Sequence, residues 1–450
     1  MFAVTPEPET GLGQWSGPCL AAGAGVRIQG VSAPDRWAPA PLCRAMVVAL
    51  LAMLVACHDN AGDRPELTWW VFDEPSGAFR AAAANCSERA AGRYTLRVEP
   101  LPADADQQRE QLVRRLAARD TSIDLIGMDV IWTAEFAAAG WLLPWDAAAA
   151  TRLAVGHLPI TVESIRYGGR AWGAPFTSNA QLLWYRTDRV RSPPTTWDEL
   201  LGTAEAAGGA GSVQLQGQRY EGLTVFFIAL LASAGGAVLD EAVQGVALPE
   251  GPTRETLALM RRIATSPAAD PSLDVMMEDQ TRLAFETGRP WFMLNYPFVW
   301  PSALSHAPAV ARQMAFAPWP GFDRTRPGRV ALGGLNLAIG AYTRHPAVAF
   351  EAAECLTSAP HQLLAAVQGG LPPTLEDLYD LAEVRRRLPF ADVLRDALHR
   401  AVLRPPTPLY HDVSLAISRT LHPMRAIDPQ RDVQRLRRAV TRALRSEGLL

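Results

Sequence analysis

The carboxylate of Asp129 is the side chain most plainly placed for chemistry. Ile123-Asp-Leu-Ile126 reads as a short strand that delivers Gly127, Met128 and Asp129 to a loop, and ligands of open α/β domains bind beside the carboxyl ends of such strands. Asp146 ends an apolar wall, Trp141-Leu-Leu-Pro-Trp145, and has two readings: an acceptor for ligand hydroxyls, or the cap of a helix. Asn179 falls between two expected strands, where a crossing between domains sets its amide beside a ligand. Trp291 to Pro297 reads as a strand that emerges into a rigid aromatic loop, and Gly333-Gly334 supplies backbone that a ligand can approach closely. No Cys or His spacing resembles a zinc or iron-sulfur site, and no cofactor is expected.

The elements that must position these groups form an α/β pattern. Glu66–Phe72 reads as a buried strand, the Ala-rich stretch 78–91 as a helix and Tyr94–Val98 as the next strand. A helix from Gln107 to Ala118 leads to the strand before Asp129, and Trp132–Gly140 is a compact helix stopped by glycine. Trp197-Asp-Glu-Leu200 opens the helical part of a second domain. The apolar segment from Tyr220-Glu221 through Leu231 fits a buried helix better than a membrane span. The helix Ala347–Leu356 carries Cys355 in its last turn, Gln368–Thr374 is a turn, and helices dominate afterwards. In the final stretch Arg431–Arg445, Val433, Leu436, Val440 and Leu444 recur at helical spacing. That pattern describes a packed terminal helix with an arginine-rich solvent face rather than a nucleic-acid-binding arm.

Of the 450 residues, 48% are hydrophobic, enough for two cores rather than a disordered chain. A formal charge of -3 gives the whole molecule no attraction to nucleic acid or acidic lipid. For any single one of the 13 Trp, core packing is the simpler reading than a ligand wall.

Near the N-terminus, Arg44-Ala-Met46 is followed by an apolar run ending at Ala56-Cys57. The run is too short for an ordinary membrane span but fits an export signal. Leu54-Val-Ala-Cys57 resembles a bacterial lipobox, which implies cleavage before Cys57 and a diacylated cysteine holding the chain at the outer face of the membrane. Residues 1–43 fit such a signal badly, so translation is expected to start downstream, at Val31 or Met46. Residues 1–56 are then a signal region with an extension, and 57–65 a lipid-attached tether. Cys86 and Cys355 remain as an even pair in an oxidising compartment, where a disulfide between them is open.

Ile123-Asp-Leu-Ile-Gly-Met-Asp129 with Trp132-Thr-Ala-Glu135, Gly140-Trp-Leu-Leu-Pro-Trp-Asp146, Tyr220-Glu-Gly222, Leu294-Asn-Tyr-Pro297, Gly333-Gly-Leu-Asn336 and Pro405-Pro-Thr-Pro-Leu-Tyr410 span nearly all of the mature region. In these segments it resembles the bacterial extracellular solute-binding family that feeds ABC sugar importers, and within it the trehalose/maltose branch, nearest to the actinobacterial trehalose-binding lipoproteins. The resemblance implies a two-lobed α/β fold with an inter-lobe ligand cleft and hinge crossings. Lobe one spans 66–180 and lobe two mainly 181–330; 331–370 returns to lobe one, and helices in 371–450 contribute to both lobes and hinge. It implies no catalytic step, a small carbohydrate ligand with trehalose first and maltose, another α-linked disaccharide or a sugar-related metabolite as alternatives, and transmembrane permease partners driven by cytoplasmic ATPases; lipid attachment accounts for membrane residence without an oligomeric interface, so a monomer is expected. Glu74, Gln107 or Gln108, Asp129, Asp146 and Asn179 become the first polar ligand contacts. Glu221 and Arg404 join them, and Trp291, Tyr296 and Tyr410 offer faces for pyranose stacking. Tyr296 stands where the family pattern is tryptophan-like. Two other classes remain: a secreted carbohydrate-active enzyme using paired Asp/Glu, and a structural lipoprotein without a ligand.

Overall fold

The structure, a computed structural model, describes residues 64–102 and 104–447. The expected export signal, Cys57 and most of the expected tether lie outside the described residues.

The chain enters through β1 (Glu66–Phe72) and β2 (Thr95–Leu101), continues with β3 (Leu125–Asp129) and β4 (Leu142–Leu143), and forms a small hairpin from β5 (Arg166–Tyr167) and β6 (Arg170–Ala171) before β7 (Ala174–Asn179). After Ala180-Gln181 it builds β8 (Leu182–Arg186), β9 (Val213–Gln214), β10 (Phe292–Asn295) and β11 (Met314–Ala317), then returns in β12 (Gly333–Gly340). The first sheet runs β2-β1-β3-β12-β4, with β7 also paired to β12. The second runs β11-β8-β10-β9. These two sheets, each with its own helices, are the two lobes.

From Leu67 to Val71 β1 is buried on both faces and apolar but for Thr68, as a central parallel strand requires. Its period of two sends Trp69 to one face, among Phe79, Phe176 and Leu337, and Trp70 to the other, among Leu112, Leu116 and Phe136. β3 lies against β1 at Gly127, where a Cβ would come within 2.3 Å of Val71 Cγ2. The ladder with β12 holds β3 in strand conformation to its end, pairing Gly127 with Leu337 and Asp129 with Leu335. Gly127, Met128 and Asp129 are therefore the last residues of the strand, not the loop expected from the sequence.

On the Trp69 face, α1 (Ala78–Arg89) packs beside the helix Pro346–Leu356, and a disulfide joins Cys86 to Cys355 across them. On the other face lies α2 (Ala105–Ala117). In the second lobe α3 (Glu221–Ser233) is apolar all round, and every residue from Gly222 to Ser233 is buried, as expected of a helix enclosed on all sides. The helices from residue 378 onward, including α4 (Tyr410–Leu421) and α5 (Asp432–Leu444), complete this second core. The return to β12 is tied to the C-terminal part by a bridge between Ala331 and Val402. Among the described residues no helix is long and apolar enough to cross a membrane.

Candidate ligand site between the lobes

Arg404 sits where the lobes meet. It follows the bridge at Val402 and precedes Pro405-Pro406, whose fixed backbone stops the segment from continuing as a helix. One guanidinium nitrogen, Nη2, donates to Asp129 Oδ1 at the end of β3 (3.1 Å) and to the carbonyl of Leu332 just before β12 (3.2 Å). The other, Nη1, donates to Glu221 Oε1 at the first residue of α3 (3.0 Å). A buried cation thus binds one carboxylate from each lobe. The Nε of Arg404 is also buried and has no hydrogen-bond partner among the described residues, a costly arrangement for a buried donor.

Glu221 gathers further donors. The Tyr410 hydroxyl donates to its Oε1 and the Ser414 hydroxyl to its Oε2, both at 2.5 Å. Both come from α4, because positions four apart lie on one helix face. Burial pushes the Glu221 carboxyl above its ordinary value, and Arg404, Ser414 and Tyr410 offset only part of that shift. Burial alone would lower the Arg404 guanidinium, but Asp129, Tyr410 and Glu221 together hold it above its usual range. The phenol of Tyr296, just past β10, is raised by burial and then by Glu278. Tyr220 is raised by the same two causes, and burial raises Glu278 itself. At the edge of the cluster Asp106, in the first turn of α2, and His411, in the first turn of α4, lie within reach of each other's charge. Asp106 is exposed, whereas His411 is half-buried and burial lowers its imidazole. Three acids, three phenols and one guanidinium form a half-buried cluster rich in donors and acceptors, suited to a neutral, hydroxyl-rich molecule.

Asp129, Glu221, Tyr296, Arg404 and Tyr410 are thus brought together. The other sequence-derived candidates are placed differently. Both carboxylate oxygens of Glu74 are engaged at the start of α1, accepting from the backbone N–H of Ser76 and Ala78 at 2.8 Å. Gln107 is exposed and Gln108 buried in the first turn of α2. Asp146 is exposed and caps the helix Ala147–Ala154 through the N–H of Ala149, so the capping reading accounts for its geometry. Asn179 lies at the first crossing opposite Gly333, with Oδ1 buried and unpartnered among the described residues. Trp291 stands at the far end of β10, under the Arg189 guanidinium at 5.9 Å. At 3.3 Å per residue it is roughly 16 Å along the chain from Tyr296, too far to share one small ligand. Gly334 is inside β12 rather than before it, with φ +124° and a Cβ position 2.2 Å from the carbonyl oxygen of Thr177. The backbone it admits is that of β7. Tyr220, Glu278, Asp106 and His411 were not among the expected site residues. Tyr220 stood in the Tyr-Glu-Gly segment, but Glu278 follows Met276-Met277 with no local mark of a site.

The model of the bacterial extracellular solute-binding protein family matches residues 81–363. A probable ABC transporter-binding protein of Deinococcus radiodurans is 28% identical over 345 residues, covering 73% of this chain and 81% of its own length. Among solved structures, maltose-bound MalE3 of T. maritima superposes with a TM-score of 0.74 at 26% identity, covering 84% of this chain and 99% of that one. The GacH receptor of Streptomyces glaucescens has the same fold, with a TM-score of 0.74 at 20% identity over 85% of this chain and 98% of its own. The family binds solutes and its members are not enzymes. With more than half of its length matched and both lobes in place, the chain belongs to the bacterial extracellular solute-binding protein family.

Proposed function

We propose that this protein captures a small α-linked disaccharide between its lobes, outside the cytoplasm, and delivers it to the transmembrane permease of an ABC importer. Arg404 carries the reading: it draws Asp129 of the first lobe and Glu221 of the second, with Tyr410, to one point at the hinge. A ligand that contacts both lobes favours the closed population, because only that form offers both sets of contacts. Asp129 and Glu221 accept from sugar hydroxyls, Arg404 donates, and Tyr296 presents a ring face to the less polar side of a pyranose, while Tyr410, buried in the second core, holds Glu221 in place.

Cytoplasmic ATPases supply the energy, and the binding protein works as a monomer held at the membrane by lipid on Cys57. Trehalose is the first ligand in this reading, from the resemblance to actinobacterial trehalose-binding lipoproteins. Maltose is the second, favoured by the likeness to maltose-bound MalE3, and Tyr296 in place of a tryptophan-like residue weighs against a trehalose-specific site. Isothermal titration of the chain beginning after Cys57 separates them. Saturable one-to-one trehalose binding with much weaker maltose binding supports the first, and the reverse order the second. No heat from either sugar on folded protein rejects the disaccharide reading.

A further inference from the structure

We propose that the groove between α4 and α5 binds an extended phosphate-bearing anion, at a site separate from the cleft. The groove has a volume of about 540 Å³, in the range of small-ligand sites. Its cations are Arg419 on α4 and Arg435, Arg437, Arg438, Arg442 and Arg445 on or just after α5, against one lining carboxylate, Glu447. Arg435, Arg438, Arg442 and Arg445 recur at spacings of three and four, so they stand on one helix face. Arg435 approaches Asp432 at 3.8 Å, and Arg445 approaches Glu447 at 3.7 Å. Arg437 Nε donates to the Leu248 carbonyl. Arg438 and Arg442, four residues apart and exposed, have no ion pair or side-chain hydrogen bond among the described residues.

Like charges at this spacing repel, and a bound anion removes that repulsion. The floor contains the small buried residues Ala416 and Ala439, which leave room for guanidinium groups to converge and offer no wall for an apolar ligand. A guanidinium fork pairs with two oxygens of one phosphate. From Arg435 to Arg445 the row extends roughly 15 Å at the helical rise of 1.5 Å per residue. One phosphate cannot span that length, whereas a chain of phosphates or a row of phospholipid headgroups can. Arg419 is nine residues beyond Tyr410 on α4, about 14 Å along the helix, so groove and cleft sit on different turns.

Calorimetric titration of the full chain with sodium tripolyphosphate tests the site, with the variant R438Q/R442Q alongside and the single variant R438Q in reserve should the double variant lose its cooperative thermal transition. The expected result is saturable binding that weakens as salt rises, and at least about tenfold weaker in the double variant while its thermal midpoint is retained. Flotation with phosphatidylglycerol and phosphatidylcholine vesicles separates the sources. An excess of binding to phosphatidylglycerol that the variant lacks assigns the groove to lipid headgroups; a loss confined to tripolyphosphate assigns it to a soluble polyphosphate. The proposal is overturned by no saturable binding to either probe, by equal binding of the variant, or by an oligonucleotide bound more tightly than tripolyphosphate.

Discussion

At the scale of single residues, Arg404 decides the behaviour of the cleft. Removing a buried cation leaves its carboxylates without a counter-charge, which costs about 3–5 kcal/mol. Arg404→Met is therefore expected to lower the unfolding free energy from urea titration by that much, and R404M/E221Q to recover part of the loss, since one of the stranded charges is then gone. Glu278 acts in the opposite sense. Burial raises its folded-state pKa above the ordinary 4.5, so it favours the folded state while protonated, and that contribution is lost as pH rises through the raised value. In Glu278→Gln, stability measured by denaturant should decline less than in the wild type as pH climbs from about 4.5 towards neutrality. An identical pH profile in the two proteins would remove Glu278 from the buried cluster.

At the scale of elements, the disulfide and the hinge-side turns carry separate loads. Cys86–Cys355 closes a long loop between α1 and the helix Pro346–Leu356. C86S/C355S is expected to lose about 2–5 kcal/mol, seen as a lower thermal midpoint, with ligand affinity unchanged because neither cysteine touches the cluster around Arg404. His157 joins its loop to the Leu371–Thr374 turn through Thr374 Oγ1 at 2.9 Å, and burial pushes its pKa down to about 4. A depressed imidazole supports the fold above pH 6.5 and withdraws that support as pH falls towards 4. His157→Asn should flatten the acid limb of the stability curve over that interval.

The sequence disclosed these elements unevenly, for physical reasons. The all-apolar α3 was legible from the length of its unbroken apolar run, and the amphipathic α5 from the periodicity that one-sided burial imposes on local sequence. The end of β3 was not, since the strand is prolonged by β12, some two hundred residues away. Asp146 carried the same local signal for a cap and for a ligand contact, and only the N–H of Ala149 distinguishes them. Trp291 was grouped with Tyr296 by adjacency in sequence, although a strand separates its two ends by its full length.

At the scale of the whole molecule, the family and the two-lobed fold follow from segments distributed along the chain, while the composition of the cleft depends on tertiary contact. Asp129, Glu221 and the segment from Arg404 to Tyr410 come from three distant parts of the sequence, and Glu278 and Asp106 join them only through folding, whereas His411 arrives as the chain neighbour of Tyr410. The central claim is that both lobes contribute acceptors to one solute site, and the most direct measurement is the calorimetric affinity of Asp129→Asn and Glu221→Gln for whichever sugar titrates the wild type. Each hydrogen bond to a charged acceptor contributes about 1.5–3 kcal/mol, so both substitutions, one in each lobe, should weaken binding by about tenfold or more. Undiminished affinity in either folded variant would contradict a site shared between the lobes at Arg404.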